Sequence, residues 1–281
     1  MRYRCKESFA IDKYDEDGNL LENEQHVVEA GELYEISSST IIGGEIHLDN
    51  VNKTSWLELS KESLNGLFEE VYIREELLEV AKPILFNSDM VRAILEERKT
   101  VTRRAVKKSA VDSVLSSPVR IENSDIPDYK VIECLCTMPC EPGDILYVRE
   151  TWTYHENAVG GVIFKARCPE KLAESKQWKP SIHMPKEVAR IFLKVTDVRV
   201  ERLQDMPHDG AMKEGIHYDE CPDGFTWKPH TDMNNCYTNP TAAMKALWDS
   251  TIKKKDLDTY GWEANPWVWV IEFKRVEVEP C

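Results

Sequence analysis

The segment RAILEERKTVTRRAVKK, residues Arg92–Lys108, decides how the larger part of this chain is interpreted. It begins inside an amphipathic helix pattern in which Met90, Val91, Ile94 and Leu95 share one face. One lysine, two threonines and two arginines follow that pattern directly. Two interpretations compete. The cations are either a solvated helix end, which the helix dipole favours, or part of a site for an anion or a nucleobase.

Length and composition bound the class of protein. The 281 residues are 42% hydrophobic and 31% charged, which is typical of a globular chain with ample length to bury a core. No apolar run approaches the roughly 18 residues of a membrane helix, and the N-terminus lacks an apolar signal core. Eight cysteines without a secretion signal favour free thiols in a reducing compartment. We therefore expect a cytoplasmic protein with no membrane contact.

The net charge of −14 is concentrated in one segment. Residues 1–80 carry 19 acidic and 7 basic side chains, a net of −12, whereas the remaining residues carry 31 and 29. Phosphate contacts need Lys and Arg, so nucleic-acid binding is disfavoured for the first segment only. The split predicts a domain boundary near residue 80, and it makes the acidic segment a candidate for docking on a basic protein partner.

Secondary-structure patterns divide the chain at the same place. Residues 1–75 show short alternating strands and Gly-containing turns, which predict a small, acidic, β-rich and barrel-like domain. One helix is predicted over residues 61–81, with Ser60 as its N-cap, and residues 76–81 connect the domains. Residues 82–281 combine many strands with a few short helices, which predicts an α+β fold on a mixed β-barrel. Insertions are expected at about 105–130 and 218–240.

Single residues mark several element ends in the second segment. Asn87 or Ser88 is the expected N-cap of the helix that leads into the basic cluster. Gly215 is expected to end a short helix, and another helix is expected to begin after Pro240. Residues 267–273 alternate two tryptophans, an isoleucine and a phenylalanine with their neighbours, which predicts a strand with one apolar face.

Four motifs in order resemble the ASCH domain family, which has a PUA-like β-barrel fold. They are ILEERKTVTRR, PGDILYVRETW, DMPHDGAMKEGI and WVIEFKRVE, and the resemblance covers about residues 82–276. The family signature in the first motif is a glycine, a lysine two residues on, a polar residue three further and an arginine two beyond that. Lys99, Thr102 and Arg104 match the last three, and Glu97 stands where the glycine is expected. The whole segment looks like a phage and prophage subfamily, some of whose members are labelled morphogenetic.

The resemblance implies a pocket that receives a nucleobase, a nucleoside or RNA. One bacterial branch of the family removes the acetyl group from acetylcytidine with a lysine, a threonine and a glutamate. Carried over by position, these catalytic roles fall on Lys99, Thr102 and Glu214. Four further residues are the candidates for substrate binding, namely Arg103, Arg104, Glu150 and His183. No cofactor is expected.

Amide hydrolysis needs a nucleophile, a proton shuttle and a group that stabilises the oxyanion. The hydroxyl of Thr102 is a weak nucleophile, and Lys99 can serve as its base only where burial or neighbouring cations lower the lysine pKa. Glu214 would orient Lys99 or protonate the leaving amine. A hydrolase of acyl-modified cytidine is therefore the first hypothesis. The alternatives are a non-catalytic module that binds RNA or a modified nucleotide, and an acidic interaction protein.

The CLCTMPC segment places Cys134, Cys136 and Cys140 close together. With one further cysteine or histidine, these thiols would make a four-ligand zinc site. The C-x-C-x3-C spacing is not a common zinc knuckle, and no second C-x2-C pair follows it. Reduced, partly buried thiols are the expectation, and no metal site is predicted.

Overall fold

The computed structural model describes most of the chain, namely residues 2–14, 20–37, 46–52, 55–118, 120, 125–156, 158, 161–169, 177–207, 209–221, 224–229 and 236–279. The chain forms two compact units. The first holds the residues up to Glu79 and those from Val276 onward, and the second runs over Val80–Arg275. The sequence prediction had assigned residues 276–281 to the second domain. They belong to the first unit because the short strand Val278–Glu279 pairs with Phe68–Ile73.

The first unit is built on a six-stranded sheet, with a separate two-stranded pair. Its elements are β1 (Arg2–Cys5), β2 (Phe9–Tyr14), β3 (Leu20–Val28), β4 (Leu33–Ile36), β5 (Ile46–Asn50), β6 (Trp56–Leu59), α1 (Lys61–Leu67), β7 (Phe68–Ile73), α2 (Arg74–Val80) and, after the second unit, β17 (Val278–Glu279). The strand order in the sheet is β17-β7-β1-β4-β5-β6. Its core is anchored by fully buried Tyr34 and Leu48, and by Leu57.

The prediction of one long helix over residues 61–81 is wrong for residues 68–73. Ser60 caps α1 as expected, because its hydroxyl accepts a hydrogen bond from the Ser63 N–H at 3.1 Å. Residues 68–73 then form β7 instead of continuing the helix. The apolar spacing fits a helix, but aromatic and β-branched residues favour a strand, and β7 gains a ladder with β1 in which Cys5 lies opposite Phe68.

The second unit contains a five-stranded sheet, two short strand pairs and six α-helices within its described residues. The strands are β8 (Lys82–Leu85), β9 (Val101–Ala105), β10 (Ile145–Arg149), β11 (Trp152–Tyr154), β12 (Val162–Phe164), β13 (Phe192–Arg202), β14 (His217–Cys221), β15 (Gly224–Lys228) and β16 (Trp267–Arg275). The helices are α3 (Ser88–Leu95), α4 (Lys108–Leu115), α5 (Asp128–Leu135), α6 (Gly210–Lys213), α7 (Pro240–Thr251) and α8 (Leu257–Tyr260). Asn87, Gly215 and Pro240 mark helix ends as predicted.

The five strands are ordered β8-β10-β13-β16-β9, so β9 lies at an edge. Only the β8–β10 pair is parallel. The α+β class is therefore confirmed. In the part of the chain that the structure describes, the sheets stay open and none closes into a barrel. None of the helices seen there has the length and apolar character to cross a bilayer.

The two faces of β16 and β9 pack against different surroundings. Trp269, Ile271 and Phe273 lie in one hydrophobic cluster, as the alternation predicted, and this side is called the Trp269 face. Val268 and Val270 lie in a second cluster with residues of α6 and α7, and this side is called the Val270 face. Because successive side chains of a strand alternate, β9 sends its residues to both faces, and this alternation arranges the candidate site.

Candidate functional site

The C-terminal end of α3 positions Lys99. The N–H of Arg98 bonds to the carbonyl of Ala93 at 2.9 Å, and the N–H of Glu97 bonds to that of Ile94 at 3.1 Å. Glu97 has a φ of 60°, in the left-handed region. This is the Schellman arrangement, in which the left-handed position usually holds glycine. Glu97 is also the position at which the sequence motif lacks its expected glycine.

The C-terminal end of α6 repeats the arrangement and positions Glu214. Here Gly215 takes the left-handed position, with a φ of 97°. Its N–H bonds to the carbonyl of Met212 at 2.8 Å, and the N–H of Ile216 bonds to that of Ala211 at 3.1 Å. Glu214 is therefore the last residue before the turn, and its place is fixed by the glycine that follows it.

The segment after α3 supplies donors for the carbonyls at the end of α6, which have no partner within their own helix. The guanidinium of Arg98 donates to the carbonyl of Gly215 at 2.7 Å. The N–H of Thr100 donates to the carbonyl of Lys213 at 2.9 Å. The ammonium of Lys99 donates to the carbonyl of Glu214 at 3.0 Å. These three bonds tie the basic segment to the glutamate-bearing turn.

Lys99 and Glu214 form a buried ion pair. The distance from Lys99 Nζ to Glu214 Oε2 is 2.5 Å, and the two residues are only 2% and 3% exposed. Lys99 Nζ also donates to the carbonyl of Val101 at 2.8 Å. Burial lowers the pKa of Lys99, Glu214 opposes this effect, and the nearby guanidinium groups of Arg104 and Arg103 lower the pKa further. A depressed lysine pKa is the property that a general base requires.

Thr102 and Arg104 project from β9 on the Trp269 face. Thr102 lies opposite Ile271 and is 2% exposed, whereas Arg104 lies opposite Trp269 and is half-buried. The guanidinium of Arg104 donates to the carbonyl of Leu85 at 2.7 Å. Burial lowers the pKa of Arg104, and Glu214 opposes this effect. Even so, an arginine retains its charge, so Arg104 presents a cation on this face.

The ring of Phe86 lines an open pocket and lies near both the Lys99 ammonium and the Arg104 guanidinium. Lys99 Nζ lies 5.7 Å from the centre of this ring, and the guanidinium carbon of Arg104 lies 5.3 Å from it. The pocket has a volume of about 510 Å³, within the range of sites that hold small organic ligands. Its lining residues are Leu85, Phe86, Asn87, Met90, Arg104, Thr151, Ser181, Ser250 and Thr251.

Several polar groups that line the pocket already form hydrogen bonds within the protein. The hydroxyls of Ser250 and Thr251 donate to the carbonyls of Leu247 and Trp248, at 2.6 and 2.7 Å, so each hydroxyl oxygen keeps only its acceptor capacity. The side-chain oxygen of Asn87 accepts from the Met90 N–H at 2.8 Å. The pocket thus combines hydrogen-bonding groups, an aromatic ring and the Arg104 cation, which suits a ligand with a ring and several polar atoms.

The predicted residues divide between the pocket and its surroundings. Arg104 lines the pocket, whereas Lys99, Thr102 and Glu214 are not among its lining residues in the described part of the chain. Thr102 shares a strand face with Arg104, and Lys99 shares the ring of Phe86 with it. The structure therefore brings Lys99 and Glu214 together directly, and it places Thr102 on the side of β9 that faces the pocket.

The three other substrate-binding candidates lie elsewhere. Arg103 is 4% exposed and lies on the Val270 face, opposite Val270. Glu150 is fully buried in a two-pronged ion pair with Arg190, at 2.8 and 2.9 Å. Burial raises the pKa of Glu150, and Arg190 opposes this effect. His183 is exposed.

Two lining residues lie close in sequence to predicted site residues but were not themselves proposed as site residues. Thr151 directly follows Glu150, and Ser181 lies two residues before His183. Thr151 lies between β10 and β11, outside both strands, so strand alternation gives no signal for it. No sequence signal pointed to Ser250 and Thr251, which reach the pocket only because α7 ends there.

The cysteines of the CLCTMPC segment differ in exposure. Cys134 is exposed, and Cys136 and Cys140 are buried. Burial raises the pKa of the Cys140 thiol to about 11. Within the described ranges, no three His, Cys, Asp or Glu residues are grouped so that they could hold a metal ion.

Comparisons with protein-family models, with curated proteins and with solved structures find no match for this chain. The ASCH resemblance therefore rests on the motifs of the sequence.

Proposed function

We propose that the second unit is a PUA-like ASCH domain that binds a nucleoside in the pocket lined by Phe86 and Arg104. The single observation that carries this proposal is the buried Lys99–Glu214 pair, 2.5 Å long, beside the wall of that pocket. The φ of 60° at Glu97 supports the family assignment, since the signature has a glycine at this position. The volume of about 510 Å³ is sufficient for a nucleoside.

We propose further that the site hydrolyses an acylated cytosine. In this scheme the oxygen of Thr102 attacks the acyl carbonyl carbon while Lys99, as the neutral amine, takes the hydroxyl proton. The amide C–N bond then breaks, and the leaving amino group receives a proton through Lys99 or Glu214. Water hydrolyses the acyl-threonine and releases the carboxylic acid. The lowered pKa of Lys99 and the Arg104 cation support these roles.

The test compares Thr102→Val with Thr100→Val, which alters an exposed threonine two residues away on the same segment. With N4-acetylcytidine as the substrate, we expect Thr102→Val to reduce turnover by about 100-fold or more and Thr100→Val to leave it unchanged. Chromatography measures the cytidine released, and circular dichroism checks that both variants fold. Full turnover by Thr102→Val would rule out the nucleophile role.

A specific observation favours a second function, a non-catalytic module that binds RNA or a modified nucleotide. The three N–H donors of Lys99 are engaged by Val101, by the Glu214 carbonyl and by the Glu214 carboxylate, which is the pattern of a charged ammonium. Thr102 is 2% exposed. Binding of an RNA oligonucleotide that weakens with salt and with Arg104→Met, without turnover of N4-acetylcytidine, would establish this alternative.

A further inference from the structure

The carboxylate of Glu214 is bound from two directions. One oxygen, Oε2, accepts from Lys99, and the other, Oε1, accepts from Arg103 Nη1 at 3.1 Å. Arg103 in turn is bound by Glu201, whose Oε1 lies 2.9 Å from Nε and 2.8 Å from Nη2. The side chains of Arg103 and Glu201 are 1% and 15% exposed. The result is an alternating chain of charges that ends on the ammonium of Lys99.

Arg103 reaches Glu214 from the side of the sheet opposite to the pocket. On β9 it lies across from Val270, whereas the pocket residue Arg104 lies across from Trp269. Its guanidinium is packed under the first turn of α6. A Cβ atom at Gly210 would lie 3.1 Å from Arg103 Nη2. A ligand in the pocket therefore meets Arg104 and not Arg103.

A carboxylate that is held at both oxygens by separate cations has little freedom to rotate. Removal of Arg103 would free Oε1, and Glu214 could then turn about its side chain. The ammonium of Lys99 would lose its fixed acceptor while it stayed buried. Glu201 fixes Arg103 through two of its nitrogens, so the geometry of Glu214 depends on a residue two strands away from β9.

We propose that Arg103 and Glu201 are positioning residues that orient the Glu214 carboxylate towards Lys99, and that Arg103 does not bind the substrate. This inference rests on the proposed function, because it assumes that Lys99 and Glu214 are the working groups. It reassigns Arg103 from the substrate-binding set to the support of the catalytic pair.

The first experiment separates positioning from binding. The variants are Arg103→Met, Arg103→Lys and Glu201→Gln. The control is Arg202→Met, which changes the neighbour of Glu201 on the other face of β13. We expect Arg103→Met to lower turnover of N4-acetylcytidine by about 100-fold, with the calorimetric dissociation constant within about threefold of the parent value. Arg103→Lys keeps the charge and should restore part of the rate, and Arg104→Met should weaken binding. Unchanged turnover in Arg103→Met, or binding lost as in Arg104→Met, would overturn the proposal.

The second experiment needs no activity and distinguishes failure of this inference from failure of the proposed function. Peptide mass spectrometry follows the acetylation of Lys99 by acetic anhydride in the native protein. We expect slow labelling in the parent and in Arg202→Met. Labelling should be at least about tenfold faster in Glu201→Gln, because Arg103 keeps its charge there but loses the partner that fixes it, and the Glu214 carboxylate is then free to turn away from Lys99. If the parent neither binds nor hydrolyses N4-acetylcytidine, the proposed function fails, and the labelling result alone tests the positioning role. Equal labelling in the three proteins would refute it.

Discussion

Replacement of Glu97 by glycine should stabilise the second unit. Glu97 has a φ of 60°, and the left-handed conformation costs an L-residue about 1–2 kcal/mol. Glycine removes that cost but loses about 0.5–1 kcal/mol through the greater entropy of its unfolded chain. The ion pair to Arg275 is long, at 3.6 Å, and the Glu97 side chain is 79% exposed, so its loss costs a few tenths of a kcal/mol at most. The net gain is about 0.5 kcal/mol.

Tryptophan fluorescence during urea unfolding is the appropriate assay. Seven of the eight tryptophans lie within Val80–Arg275, so the signal reports mainly on the second unit. With an m-value of about 2 kcal/mol per molar urea, a gain of this size raises the urea midpoint by about 0.2–0.3 M. The matched control is Glu97→Ala, which removes the ion pair but keeps a side chain in the left-handed position. A glycine variant no more stable than the alanine variant would refute the reasoning.

Three further predictions concern other described residues. Gly215→Ala should destabilise the protein by about 1–2 kcal/mol in thermal unfolding, because its φ of 97° disfavours any Cβ; an unchanged melting temperature would contradict this. Cys140, with a pKa of about 11, should react with iodoacetamide at about pH 8 at least tenfold more slowly than exposed Cys134, as measured by mass spectrometry, and equal rates would contradict its burial. Arg190→Met should cost about 3 kcal/mol near neutral pH, because it leaves the Glu150 carboxylate buried without its partner. Burial raises the folded-state pKa of Glu150, so ionisation of this carboxyl lowers the free energy of unfolding as the pH rises. In Arg190→Met the attraction that opposes this effect is gone. The stability lost in this variant, measured by urea unfolding, should therefore be smaller near pH 5 than near pH 8.

The elements with local chemical markers were predictable from the sequence. Asn87 caps α3 through its own side chain, Pro240 begins α7, and Gly215 ends α6 at a positive φ. Each of these signals acts within one turn of the residue that carries it, so no tertiary contact is needed to recognise it. The wrong helix over residues 68–73 shows the limit, because β7 is decided by its ladder with β1.

The candidate site was predictable only in part for the same reason. Lys99 and Glu214 are 115 residues apart, and only the family motif suggested that they would meet. The separate tasks of Arg103 and Arg104 follow from the alternation of β9, but the sequence did not show which face would carry the pocket. Ser250 and Thr251 had no signal at all, since their role depends on where α7 ends.

The pairing of β17 with β7 constrains the order in which the two units can complete their folding during synthesis. A ribosome completes β7 before it makes any of the second unit, and it makes β17 only after the whole of that unit. Until residues 278–279 emerge, one edge of β7 keeps unpaired amide and carbonyl groups, which can template association with other chains. The second unit is continuous in sequence and is free to fold first. The usual order, in which the N-terminal domain is finished before the next one, is therefore reversed for the sheet of the first unit.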